Sequence, residues 1–127
     1  MKTRNTTAYV SAYQRDRVHV TRLYAYEKDR LTADFNGALG PDDAIVSATW
    51  QTAYTNSALM SDAQATARET SILIGSQYAG PTAIKCTVTL ANGQKRVQQF
   101  RVEVQAQPYY QGDTWATGPQ SLTAVAA

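Results

Sequence analysis

The sequence predicts an all-β protein built as a sandwich, and three observations carry that reading. β-branched and aromatic residues alternate with polar ones in short runs. Clusters of Gly, Pro, Asn and Asp separate those runs. The alanine-rich stretch 61–69 lacks an apolar stripe at helical spacing. With 127 residues the chain suits one domain with a single core, and there is room for about seven to nine antiparallel strands in two packed sheets.

The alternation is clearest from Thr82 to Val104, where two long runs flank Asn92-Gly93, a pair that tolerates the positive φ of tight β-turns. Ile84, Cys86, Val88 and Leu90 share one face, and Phe100, Val102 and Val104 share one face of the return arm. Both sets lie at even positions. Opposed residues of an antiparallel pair have a constant index sum, so a two-residue Asn-Gly loop gives an odd sum and sends the two sets to opposite faces. The sequence therefore predicts a three-residue loop near Asn92-Gly93-Gln94 with a left-handed residue, or a bulge near Val97-Gln98-Gln99, with Val97 facing outward. The wet face, Lys85, Thr87, Thr89, Arg101 and Glu103, is the first place to expect a neighbouring subunit.

In chain order, residues 1–16 are polar, with Tyr9, Val10 and Tyr13 as the large apolar groups, and read as an arm or a short edge strand. Residues 17–26 read as a strand with Val18, Val20, Tyr24 and Tyr26 on the buried face and Arg17, His19 and Thr21 on the exposed one. Glu27 to Arg30 reads as a charged turn. Leu31 to Phe35 is a strand with Leu31, Ala33 and Phe35 on one face. Asn36-Gly37 and Gly40-Pro41-Asp42-Asp43 are turns around Ala38-Leu39. Ala44 to Trp50 is a strand with Ile45, Ser47 and Thr49 of one parity and Val46, Ala48 and Trp50 of the other, which predicts burial on both faces at its start; Trp50 is its core anchor. Residues 51–70 read as a loop leading into a strand, with a short helix capped by Asp62 as the alternative. Thr70 to Gly75 is a strand. After Val104, Pro108, Gly112, Gly118 and Pro119 break the chain. Tyr109, Tyr110, Trp115, Leu122 and Val125 need cover, which predicts a tail lying on a neighbouring subunit. The expected organisation is an N-terminal arm plus an extra strand at 1–28, a sandwich at 29–106 and an extended C-terminal tail at 107–127.

Charge and chemistry narrow the function classes. Residues 1–30 hold seven Lys/Arg against three acids, and the remainder holds five against seven. Because the basic residues are dispersed among tyrosines and acids, the pattern favours an acidic protein surface, or merely a solvated face, over nucleic acid. The single cysteine, Cys86, excludes an internal disulfide and a cysteine-cluster metal site. With Cys86 on an apolar strand face and His19 the single histidine, no nucleophile–base pair is spelled out, nor is a phosphate loop or a zinc spacing. The reading is a non-enzyme without cofactor or metal. No apolar run approaches the roughly 18 residues of a membrane span. Met1-Lys2-Thr3-Arg4 leads into polar residues, which predicts no signal peptide and a cytoplasm-like compartment.

Asp29 to Trp50 resembles a family, the small virion proteins of tailed bacteriophages of the fibre–tail adaptor type. Their first half has an LDY-x-x-D strand, a W-L turn and a GD-x-I-x-S-x-x-W strand. Leu31 to Phe35, Ala38-Leu39, and Asp43, Ile45, Ser47 and Trp50 stand at those places, with Pro41-Asp42 replacing the usual Gly before Asp43. Ser71 to Val104 is similar to the second half, with Gly75, Ala79-Gly80, Gly93 and Phe100 to Val104 in order. The resemblance covers about residues 29–104. It implies an immunoglobulin-like sandwich burying Ile45, Trp50, Ile72, Ile74, Ile84, Cys86, Val88, Phe100 and Val102. It further implies a virion structural protein, assembled in the host cytoplasm, that joins tail, portal or fibre components through tails and sheet edges. Its partners would be other virion proteins in a symmetric homo-oligomeric ring or array. Capsid decoration is the alternative, and a glycan- or surface-binding module using Trp115 is the third. The interaction residues expected are Arg4, Tyr9, Tyr13, Arg15, Arg17, Tyr109, Tyr110 and Trp115.

Overall fold

The structure, a computed structural model, describes residues 4–10, 17–52, 59–76, 80–105 and 121–126, with Arg4 and Leu59 described by backbone alone. Among these residues the strands are β1 (Arg4–Tyr9), β2 (Val18–Tyr24), β3 (Lys28–Asp34), β4 (Ile45–Thr52), β5 (Leu59–Ala65), β6 (Glu69–Gly75), β7 (Gly80–Leu90), β8 (Lys95–Gln105) and β9 (Ser121–Val125). A single 3-10 turn at Asn36–Ala38 stands where Asn36-Gly37 punctuates the sequence. The strands form two sheets, β1-β3-β6-β5 and β2-β8-β7-β4-β9. Taking β1 and β3 to β8 as strands A to G, the first sheet reads A-B-E-D and the middle of the second reads G-F-C. That is the strand order of the immunoglobulin arrangement, with β2 and β9 added at the two edges and with β1 running parallel to β3 where that arrangement is antiparallel. The protein is an all-β sandwich.

Both sheets are mixed, which corrects the expectation of antiparallel strands throughout. β1 runs parallel to β3 and β2 runs parallel to β8, while the remaining pairs are antiparallel. The parallel pairs sit at sheet edges, where an entering strand has one neighbour to satisfy. All nine residues expected in the core are buried, none more than 3% exposed. Trp50 packs its ring 5.5 Å from that of Phe100, and its indole N–H donates to Thr70 Oγ1 at 3.1 Å. The Thr70 hydroxyl in turn donates to the Gln64 carbonyl at 2.7 Å. A buried indole N–H needs such a partner, and here the partner sits on the opposite sheet.

The hairpin solves its parity problem by loop length. Ile84 pairs with Phe100 and Cys86 with Gln98, an even sum. The loop is Ala91-Asn92-Gly93, one residue earlier than the sequence suggests. Leu90 N–H donates to Gln94 O at 2.8 Å, and Gly93, at φ +87°, donates back to Leu90 O at 2.9 Å. Asn92 secures the loop by accepting Gln94 N–H at 2.9 Å and donating to Asp43 Oδ2 at 3.1 Å. Val97 faces out, as the even sum requires. The start of β4 is not buried on both faces as expected: a bulge between Ile45 and Ser47 turns Val46 out and lets Ile45, Ala48 and Trp50 all face the core.

Further expectations are corrected. The turn before β3 lies at Tyr24–Glu27, closed by Glu27 N–H to Tyr24 O and by Tyr24 N–H to Glu27 Oε1, both 3.1 Å, with Tyr26 at φ 69°. Asp29 therefore belongs to the strand, is buried, and accepts the Thr6 hydroxyl at 2.9 Å. Residues 59–65 form a bulged strand: Asp62, at φ 50°, pairs with Arg30 across Ser71, so its side chain serves a cross-strand ion pair and caps no helix. Residues 121–125, expected in a tail, pair as β9 with β4, and Ala124 is buried against their own domain. Residues 1–28 contribute β1 and β2, one edge of each sheet, in keeping with the edge-strand reading of residues 1–16 and the strand expected at 17–26. The last correction concerns β2 and defines the candidate site.

Candidate interaction surface

Val18, Val20 and Tyr24, expected in the core, are 42%, 53% and 49% exposed, while Thr21, Leu23 and Ala25 are buried. The register with β8 is the cause. His19 lies beside Phe100, Thr21 beside Val102 and Leu23 beside Val104. Paired residues of neighbouring strands share a face, so the inward set of β8 draws the odd residues of β2 inward with it. Gln98 holds the start of this pairing by donating from Nε2 to Arg17 O at 2.9 Å. The sequence signal that marks the inward face is Leu23-x-Ala25.

The outward valines form one wall of a groove of about 1030 Å³ on the outer face of the five-stranded sheet. Pro81 and Ala83 of β7 and Arg101 of β8 continue it, and Lys85 and Gln51 close its far side. Charge on this face is one-sided. The outward residues of its five described strands include Arg22, Lys85, Lys95 and Arg101 against Glu103. Glu103 is flanked by Arg22 at 3.4 Å and Arg101 at 3.6 Å, whereas Lys85 forms no salt bridge with a described residue. The opposite outer face carries Lys28 and Arg30 against Asp34, Asp62 and Glu69. Hydrogen bonds from Gln64 and Arg30 hold the Asp62 carboxyl below its usual range.

Two of the expected interaction residues come together beside this face. Tyr9, 76% exposed at the end of β1, and Arg17, just before β2, line a hollow of about 110 Å³ with His19. His19 is half-buried, contrary to its expected place on an exposed face. Its ring meets Phe100 edge-on at 5.8 Å, and desolvation, helped by the charge of Arg17, lowers its pKa from 6.5. Arg4 begins β1 opposite Asp29. Tyr13, Arg15, Tyr109, Tyr110 and Trp115 lie outside the described residues. Cys86 is buried, and desolvation raises its thiol pKa far above the ordinary value, which suppresses the thiolate that nucleophilic chemistry and metal binding need. Among the described residues no cluster of three or more His, Cys, Asp or Glu is placed to hold a metal ion, and no helix is long and apolar enough to cross a membrane.

No protein-family model matches the chain, and no curated protein matches it in sequence. Solved structures with a similar chain path include the cysteine protease inhibitor EhICP2 from Entamoeba histolytica, 14% identical over 80% of this chain and 97% of that one, at a TM-score of 0.45. Amebosin is 13% identical over 83% of this chain and 100% of that one, at 0.41. An endo-fucoidan hydrolase of glycoside hydrolase family 107 is 10% identical over 69% of this chain and 13% of that one, at 0.43. Likeness at this level carries no conclusion about function.

Proposed function

We propose that the chain is a non-enzymatic structural protein of a tailed-phage virion, an adaptor that joins tail, portal or fibre components through one sheet face and the adjoining edges. The observation that carries the binding role is the row Val18, Val20 and Tyr24, three large apolar side chains held outward on an edge strand beside a basic groove. Arg22 separates Tyr24 from the valines on this row, and Val18 and Val20 share the groove with Pro81 and Ala83, apolar surface rimmed by polar groups of the kind that marks an interaction site. The phage setting rests on the resemblance of residues 29–104 to the adaptor family. Burial of Cys86 supports the non-enzymatic part. Localising and counting the chain in purified particles by electron microscopy tests the role. A ring at the tail, portal or fibre base is expected. Distribution over the whole icosahedral shell would make it a decoration protein, and absence from particles would overturn the virion reading.

A further inference from the structure

We infer that the groove between β2 and β7 binds an extended acidic segment of a partner protein, whose apolar side chains cover Val18, Val20 and Ala83 and whose carboxylates meet Lys85 and Arg101. This rests on the reading of the chain as a binding module and adds the chemistry of what it binds. Charge chooses the occupant: four cations face one carboxylate on this sheet, and that carboxylate is already flanked by two of them. Two such faces brought together in a symmetric pair would set like charges opposite one another, which disfavours a second copy. A single-stranded nucleic acid needs aromatic platforms for its bases. Among the described outward residues of this sheet Tyr24 is the one aromatic, a single ring outside the groove's lining, and the lining itself presents Val18, Val20, Pro81 and Ala83. A peptide with alternating apolar and acidic residues satisfies both the apolar lining and the cations beside it. An extended backbone lying across a sheet also exposes both side-chain rows, one to the groove and one to the solvent.

The test uses the full chain and three probes: a synthetic decapeptide alternating valine with glutamate, the same peptide with lysine for glutamate, and a ten-nucleotide oligothymidine strand. Titration followed by NMR should give saturable shifts with the glutamate peptide, confined to the outward residues of β2, β8 and β7. Affinity should fall as salt rises, since rim charges are screened. Lys85→Glu with Arg101→Glu should weaken binding by about 10-fold or more, and the milder Lys85→Gln by about 3-fold, with thermal midpoints close to the parent because both side chains are exposed. Equal binding of the two peptides, tighter binding of the oligonucleotide, shifts on the other sheet, or no saturation at millimolar peptide would each overturn the inference. So would self-association through this face in place of peptide binding. A chain absent from particles that still binds the acidic peptide would sink the virion reading alone. A chain found in particles with this groove empty would sink the acidic-segment inference alone.

Discussion

Ile84 to Leu90 and Val18 to Tyr24 alternate with the same period, and the two strands treat their valines in opposite ways. In β7 the row Ile84, Cys86, Val88 and Leu90 is buried to 2% exposure or less. In β2 the row Val18, Val20 and Tyr24 stands in solvent, and Leu23 takes the inward place. Both obey the two-residue repeat. The difference is that β7 lies between two antiparallel neighbours, β8 and β4, whereas β2 has β8 alone beside it. A central strand rich in apolar residues has one satisfactory orientation. An edge strand with Leu and Ala on one side and Val, Val and Tyr on the other has two nearly balanced ones, and the partner's register selects between them.

A charge placed on each row breaks this comparison most forcefully. Val88→Asp buries an unpaired carboxylate and should cost on the order of 4–5 kcal/mol or more. Val20→Asp should stay within about 0.5 kcal/mol of the parent in urea unfolding. Comparable losses would mean that β2 is inverted from the orientation described. Next in size, Leu23→Ala should cost about 2–5 kcal/mol, as a deletion in a packed core does, against almost nothing for Tyr24→Ser. If the order of these two reverses, Val18, Val20 and Tyr24 are the core face after all.

The turn that aligns the hairpin offers a smaller test. Gly93 holds φ +87° with no atom within 4 Å of where a Cβ would stand, so Gly93→Ala should cost about 1–2 kcal/mol from the left-handed backbone alone. A neutral result would show that the loop takes another form. The weakest effect concerns His19. Its folded-state pKa is lowered from 6.5, so below about that pH the unfolded chain takes up more protons than the folded one. Its contribution to stability is therefore fully present above 6.5 and fades as pH falls from there toward the folded value. Thermal midpoints of the parent measured from pH 7.5 down to 5.5 should drop more than those of His19→Gln; parallel curves would place the imidazole in solvent.

Much of the fold was legible because local rules and burial agree along most of the chain. The parity of Cys86 and Phe100 demands one extra residue, in the loop or in a bulge, and Gly93 marks where the left-handed turn falls once the loop takes it. Trp50 and the alternating isoleucines announced the core, since side chains of that size have few other places in a domain of this length. The candidate site was legible in part. Lys85 and Arg101 were placed on the wet face correctly, and Tyr9 with Arg17 marks the neighbouring hollow. The apolar wall of the groove was read as core, because alternation separates two faces without saying which of them is dry.

Composition and alternation by themselves determined that this chain makes paired strands, which hairpin residues face the core, and that the hairpin register carries one extra residue, in the loop or in a bulge. Those are properties of neighbours in sequence, settled by side-chain period and turn chemistry. The tertiary structure alone decided that β1 and β2 join their sheets in parallel, that residues 121–125 return to their own domain, and that Val18 and Val20 face outward. Each of these depends on the register between segments far apart in the chain. Register at an edge is set by the strand already in place, so the open face of this protein was defined by β8 and only displayed by β2.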